Sequence, residues 1–82
     1  MKVLYKVYVD VLVKMSKDGQ MIPQAFVWED GREYIIDRIM KVERCASRKA
    51  GGTGIMYTCM VAGQESHLTY EVDSFFMERK KV

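Results

Sequence analysis

Cys45, Cys59 and His67 are the only cysteine and histidine side chains in the chain, so any thiol or soft-metal chemistry would have to come from them. A closed zinc site takes about four Cys or His ligands, which one copy of this chain cannot supply. A thiol catalyst needs a base within hydrogen-bond reach, a group that orients that base, and an exposed electropositive setting. Both cysteines fall instead inside apolar stretches that read as strands, which points to inert, buried thiols. The segment Arg48-Lys49-Ala50-Gly51-Gly52-Thr53-Gly54 has the ingredients of a phosphate cradle. A P-loop, however, needs G-x-x-x-x-G-K-[ST] between a strand and a helix, with the lysine after the glycines. Here the basic residues come first and a strand follows, so the segment reads as a flexible glycine loop. The carboxylates, from Asp10 and Asp18 through Glu29, Asp30, Glu65, Glu71, Asp73 and Glu78, are scattered over turns and solvated strand faces. None forms the close pair that sets an acid against a base. The residues therefore point to no enzyme, no cofactor and no metal site.

The least bland pattern is basic and aromatic. Arg32, Arg38, Arg44, Arg48 and Lys49 are interleaved with Trp28, Tyr34 and Tyr57. Curved β-sheets that display aromatics and arginines bind single-stranded nucleic acid by stacking and backbone contact. Trp28, Arg32, Arg38, Arg44, Arg48, Lys49 and Tyr57 are thus the candidate ligand or partner contacts. The competing reading makes the aromatics core and pairs the arginines with Glu33, Asp37 and Glu43. It is favoured, because 13 basic against 11 acidic residues leave a net charge of only +2, and nucleic-acid binders are normally more basic or clearly patched.

The elements that must position these residues are strands. From Val3 to Met15 the chain alternates, with Val7, Val9 and Val11 on one face and Lys6, Tyr8 and Asp10 on the other. That period of two predicts a long half-buried strand. Ser16 to Gln20 is a polar turn. A second strand runs from about Met21 to Trp28 and contains the only proline, Pro23, which marks an edge, a bulge or a strand start. Asp30-Gly31 then turns the chain into a third strand, Arg32 to about Cys45, that curves and buries different faces at its two ends. A two-residue loop would pair Val27 with Tyr34 and split the aromatics between faces. A three-residue loop with Gly31 left-handed would pair Trp28 with Arg32, and Phe26 with Tyr34, gathering the aromatics on one face. Further strands are expected over Ile55–Ala62, Glu65–Val72 and Phe75–Arg79, joined by turns at Gly63-Gln64 and Asp73-Ser74. Ile55, Tyr57, Cys59 and Val61 share a face, and Leu68, Tyr70 and Val72 face inward.

The expected architecture is a single all-β domain over residues 1–82: five to six mostly antiparallel strands in a meander, shaped as a small SH3-like or half-open barrel. Eighty-two residues leave no room for a second core, and a domain this small buries only about 60% of the surface its unfolded chain exposes. A hydrophobic fraction of 49% and a charged fraction of 29% suit a soluble globule. Two cysteines are too few for a disulfide scaffold. Without a signal-peptide layout or an apolar run of about 20 residues, a cytoplasmic protein with no membrane association is expected.

The run Phe26-x-Trp28-x-Asp30-Gly31-Arg32-x-Tyr34-x-Ile36, followed by Gly52-x-Gly54-x-x-Tyr57-Thr58-Cys59 and Phe75-Phe76-Met77-Glu78, resembles small uncharacterised bacterial all-β domains. These share a W-x-(D)-G-R-x-Y hairpin, a G-x-G-x-R-Y segment and a terminal W-F pair. Some relatives of the hairpin pattern sit with DNA-repair polymerase homologues, which on this resemblance favours a nucleic-acid role. The chain carries Met56 where the pattern often has Arg, and Phe75 where it often has Trp. No catalytic residue comes with the resemblance. A non-enzymatic binding or accessory module is expected, docking on a protein partner or self-associating as a homodimer. An open sheet leaves edges that must be covered, charged or paired, and seven methionines supply adaptable apolar surface. The alternative is a weak single-stranded nucleic-acid binder.

Overall fold

A computed structural model describes residues 4–46 and 53–80, and these form one antiparallel sheet of seven strands curved into a half-barrel. The strands are β1 (Leu4–Met15), β2 (Met21–Val27), β3 (Glu33–Ile35), β4 (Arg38–Ala46), β5 (Thr53–Val61), β6 (Gln64–Glu71) and β7 (Ser74–Lys80). Their order across the sheet is β3-β2-β1-β7-β6-β5-β4. All-β architecture is as expected, but the strands number seven rather than five to six. The stretch expected as one curving strand breaks at Ile36-Asp37, and its halves lie at opposite ends of the sheet. The Ile36 amide donates to the Gln24 carbonyl of β2 and the Asp37 amide to the Met60 carbonyl of β5, each at 2.9 Å. Two residues therefore bridge the two edges, and the sheet has to curve to let them. Tyr57 holds the same curvature, its hydroxyl donating across the concave side from β5 to the Met21 carbonyl of β2 at 3.1 Å.

Alternation in β1 builds the concave face. Val7 lies opposite Met77 and Val9 opposite Phe75 on β7, while Val11 lies opposite Phe26 on β2. The register slips between Leu12 and Val13, which face Ala25 and Pro23, so Gln24 is the extra residue. A bulge beside a proline fits the lack of an N–H at Pro23. Val9, Phe26, Ile36, Tyr57, Cys59, Val61, Leu68 and Met77 make the buried core, with Trp28, Tyr34, Tyr70 and Phe75 packed against it. On the convex side Phe76 is buried beneath Tyr8, 5.9 Å between rings, and the Lys6 ammonium, 4.5 Å from its ring. Lys6 reaches on to the buried Glu71 carboxylate at 3.0 Å.

The Asp30-Gly31 hairpin takes the wider of its two expected loops. The Trp28 amide donates to the Arg32 carbonyl and the Gly31 amide to the Trp28 carbonyl, both at 2.9 Å. Gly31 sits at φ 84°, and Asp30 Oδ1 accepts from the Arg32 amide at 2.9 Å. Phe26 consequently pairs with Tyr34, their rings stacked at 5.6 Å. Two later turns sit one residue earlier than expected, at Ala62-Gly63 and Val72-Asp73, all four residues having positive φ. Val72 is accordingly a turn residue, 56% exposed, and not an inward strand position. Among the described residues, no helix is long and apolar enough to cross a membrane.

Candidate functional site

β6 is paired very differently on its two sides. Toward β5 it makes seven consecutive pairs, from Ile55↔Tyr70 to Val61↔Gln64. Toward β7 it makes three, Glu71↔Ser74, Tyr70↔Phe75 and Thr69↔Phe76, and there the ladder stops. β7 continues as a strand to Lys80, paired with β1 as far as Leu4↔Lys80. The seam between β6 and β7 is thus zipped next to the Val72-Asp73 turn and open beyond Thr69 and Phe76.

Antiparallel alternation says which main-chain groups this leaves exposed. In such a ladder every second residue exchanges both its N–H and C=O with one neighbour, and the residues between face the other neighbour. A two-residue loop is closed by a hydrogen-bonded pair, which makes Val61↔Gln64 and Glu71↔Ser74 bonded positions. Gln64, Ser66 and Leu68 then spend their main-chain groups on β5. Glu65 and His67 turn theirs toward β7, and Glu78 and Lys80 turn theirs toward β6. None of these finds a strand partner across the seam.

An open cleft of about 780 Å³ occupies the gap. Because the strands part, it is lined from both faces of the sheet. From the concave side come Phe26, Trp28, Tyr34, Val61, Ser66 and Met77. From the convex side come Met56, Glu65, His67, Thr69 and Glu78. Phe26 and Met77 are buried, Trp28 and Tyr34 half-buried, and Glu65, His67 and Glu78 exposed. The aromatic wall exists because the three-residue loop at Asp30-Gly31 puts Phe26 and Tyr34 on one face. Glu65 and His67 lie 3.6 Å apart along β6, and no Lys or Arg belongs to the described lining. Among its described lining residues the cleft has an aromatic and apolar wall on the concave side and Glu65, His67 and Glu78 on the convex side.

The residues singled out from the sequence do not converge in the same way. Trp28 lines the cleft. Tyr57 is buried in the core with its hydroxyl already used, and burial pushes its phenol above the ordinary value. Arg32 is exposed at the hairpin loop. Arg38 lies opposite Met60, and Arg44 opposite Ile55 across a register shift. Met60 and Ile55 fall on opposite faces of β5, so these two arginines do not share a surface. Among the described residues Arg32, Arg38 and Arg44 form no ion pair with Glu33, Asp37 or Glu43; Glu43 takes Lys41 at 3.3 Å. Arg48, Lys49 and the Gly51-Gly52 loop lie outside the described residues.

Thiol chemistry finds no geometry at Cys59; the Cys45 side chain lies outside the described residues. Cys59 is fully buried, its Sγ donates to the Ser66 carbonyl at 3.5 Å, and burial raises its thiol, which disfavours the nucleophilic thiolate. Cys59 lies opposite Ser66 while His67 lies opposite Thr58, so the thiol and the imidazole are on opposite faces. Among the described residues, no three His, Cys, Asp or Glu side chains come together as a metal site. What the cleft offers is main-chain hydrogen bonding beside an aromatic wall; the wall follows from the wider of the two loops expected at Asp30-Gly31, while the unpaired edge has no signal in the residues. Glu65-Ser66-His67-Leu68-Thr69 reads as an ordinary half-polar strand, and nothing in its composition signals a missing neighbour. Comparison with protein-family profiles, with curated proteins and with solved structures finds no match for this chain.

Proposed function

We propose that this chain is a cytoplasmic, non-enzymatic binding module that docks on a protein through the cleft between β6 and β7. One observation carries the reading: the sheet parts in its middle, where unpaired strand edges meet the wall of Phe26, Trp28 and Tyr34. Unsatisfied strand edges are templates for pairing with another chain, and aromatics beside them supply the apolar anchors that dominate protein interfaces. Single-stranded nucleic acid is the other ligand class suggested by the sequence. Phosphates entering this cleft would meet Glu65 and Glu78, and Arg32, Arg38 and Arg44 are not part of its described lining, so a protein ligand suits the charge better.

The test is a photo-crosslinking amino acid at Ser66, in the cleft, against one at Lys17, in the β1–β2 turn, carried out in the producing cells. A discrete protein adduct from Ser66 and none from Lys17 is expected. Adducts of equal yield and pattern from both positions, or none from either, contradict the proposal. Salt-sensitive binding of labelled single-stranded oligonucleotides, weakened by changes at Arg38 and Arg44, would favour the nucleic-acid reading instead.

A further inference from the structure

Resting on that reading of the cleft, we infer that its occupant is an extended peptide with alternating basic and apolar residues, added as a strand along the free edge of β6. The first argument is the spacing of the unmet groups. Glu65 and His67 present N–H and C=O toward the seam at every second residue, the repeat that another strand satisfies. A helix keeps its main-chain groups to itself, and a proline-rich segment lacks the N–H donors. Strand addition is the recognition mode in which main-chain bonds give affinity and side-chain pockets give specificity.

The second argument fixes the side chains. An added strand sends alternate residues to opposite faces of the sheet. Those on the concave side meet Phe26, Trp28, Tyr34 and Met77, so they are apolar or aromatic. Those on the convex side meet Glu65 and Glu78. Opposite charge there steers the partner and sets its register. The two halves of the sheet that flank the cleft are each well paired, β6 with β5 and β7 with β1. The edge is therefore presented by ordered strands and needs little ordering when a partner arrives.

The experiment selects from a displayed library of random short peptides against the whole chain and against Glu65→Gln/Glu78→Gln. Selected peptides are then synthesised and followed by residue-resolved amide hydrogen exchange. Proline-poor winners that alternate Lys or Arg with β-branched or aromatic residues are expected. Their binding should weaken roughly tenfold in the double variant, and the Glu65 and His67 amides should become protected on binding. Winners that are acidic, proline-rich or patterned as helices overturn the inference. So does tight binding that leaves those two amides exchanging freely, a homodimer that already occludes them, or a library that yields no binder. If the Ser66 crosslink still captures a discrete protein while the library yields nothing, the docking site stands and only the strand-like basic occupant falls.

Discussion

The two hairpins that share β6 use the same kind of two-residue turn and reach different ends. The β5–β6 hairpin turns at Ala62-Gly63 and zips through seven pairs; the β6–β7 hairpin turns at Val72-Asp73 and zips through three. The first turn has Ala62 at φ 50° and glycine at φ 78°, so a side chain resists at one of its two positions only. The second places a β-branched residue, Val72, at φ 51°, a conformation that costs an L-residue about 1–2 kcal/mol. Packing differs in the same sense. Cys59 and Leu68, both fully buried, sit on the β5–β6 ladder, while the open length of β6 facing β7 presents Glu65 and His67. One edge of β6 is held by core burial and a turn with glycine at one of its two positions. The other has a strained turn, three pairs and a cleft.

The largest effect should come from the zipped side. Leu68→Ala empties a fully buried site and should cost about 3 kcal/mol in chemical denaturation, within the usual range for buried leucines. A cost near the value for a surface residue would mean that β6 is not anchored to β5 as described. Next, Val72→Asn should stabilise by about 1 kcal/mol, because asparagine tolerates the left-handed turn that valine resists. Ala62→Asn should gain less, since alanine lacks the β-branch that makes such a φ an outlier. Equal gains at both turns would remove the contrast in strain. Tyr57→Phe deletes the hydrogen bond to Met21 that spans the concave side and should cost about 1 kcal/mol.

The smallest effect is alkaline. Burial raises the Cys59 thiol above 9.0 and the Tyr57 phenol above 10.0, and the hydrogen bond to Asp73, with burial, raises Tyr70 above 10.0. An acid whose value is raised by folding holds its proton more tightly in the native state. Stability is then intact below the unfolded values and falls as pH rises through the folded ones. Denaturation midpoints should stay level up to about pH 9 and decline above it. Cys59→Ala should delay the onset of that decline.

Much of the sheet is legible in local pattern because period two is a local property. The valines of β1 declare their face. So do Ile55, Tyr57, Cys59 and Val61, which sit on the concave side as their alternation predicts. Asp30-Gly31 announces a turn, but its loop length, and hence the gathering of Phe26 with Tyr34, depends on hydrogen bonds that both registers could have made. The break at Ile36-Asp37 is hidden because residues on either side keep apolar and charged character while parity shifts. Ile36 and Ile39 both reach the core across the break. The cleft is hidden more deeply. It is made of main-chain groups that lack a neighbour, and a strand's sequence records its own face, not whether the next strand stays beside it. Of the basic residues that stand out in the sequence, Arg38 and Arg44 fall on opposite faces, while Glu65 and Glu78 both line the cleft.

Residue-resolved amide hydrogen exchange on the free protein reads the two edges of β6 directly, because its amides alternate between them. Ser66 and Leu68, bonded to β5, should exchange slowly, while Glu65 and His67 on β6 and Glu78 on β7 should exchange close to the rate of open chain. Protection of His67 and Glu78 equal to that of Ser66 and Leu68 would mean that the seam is closed and the cleft absent.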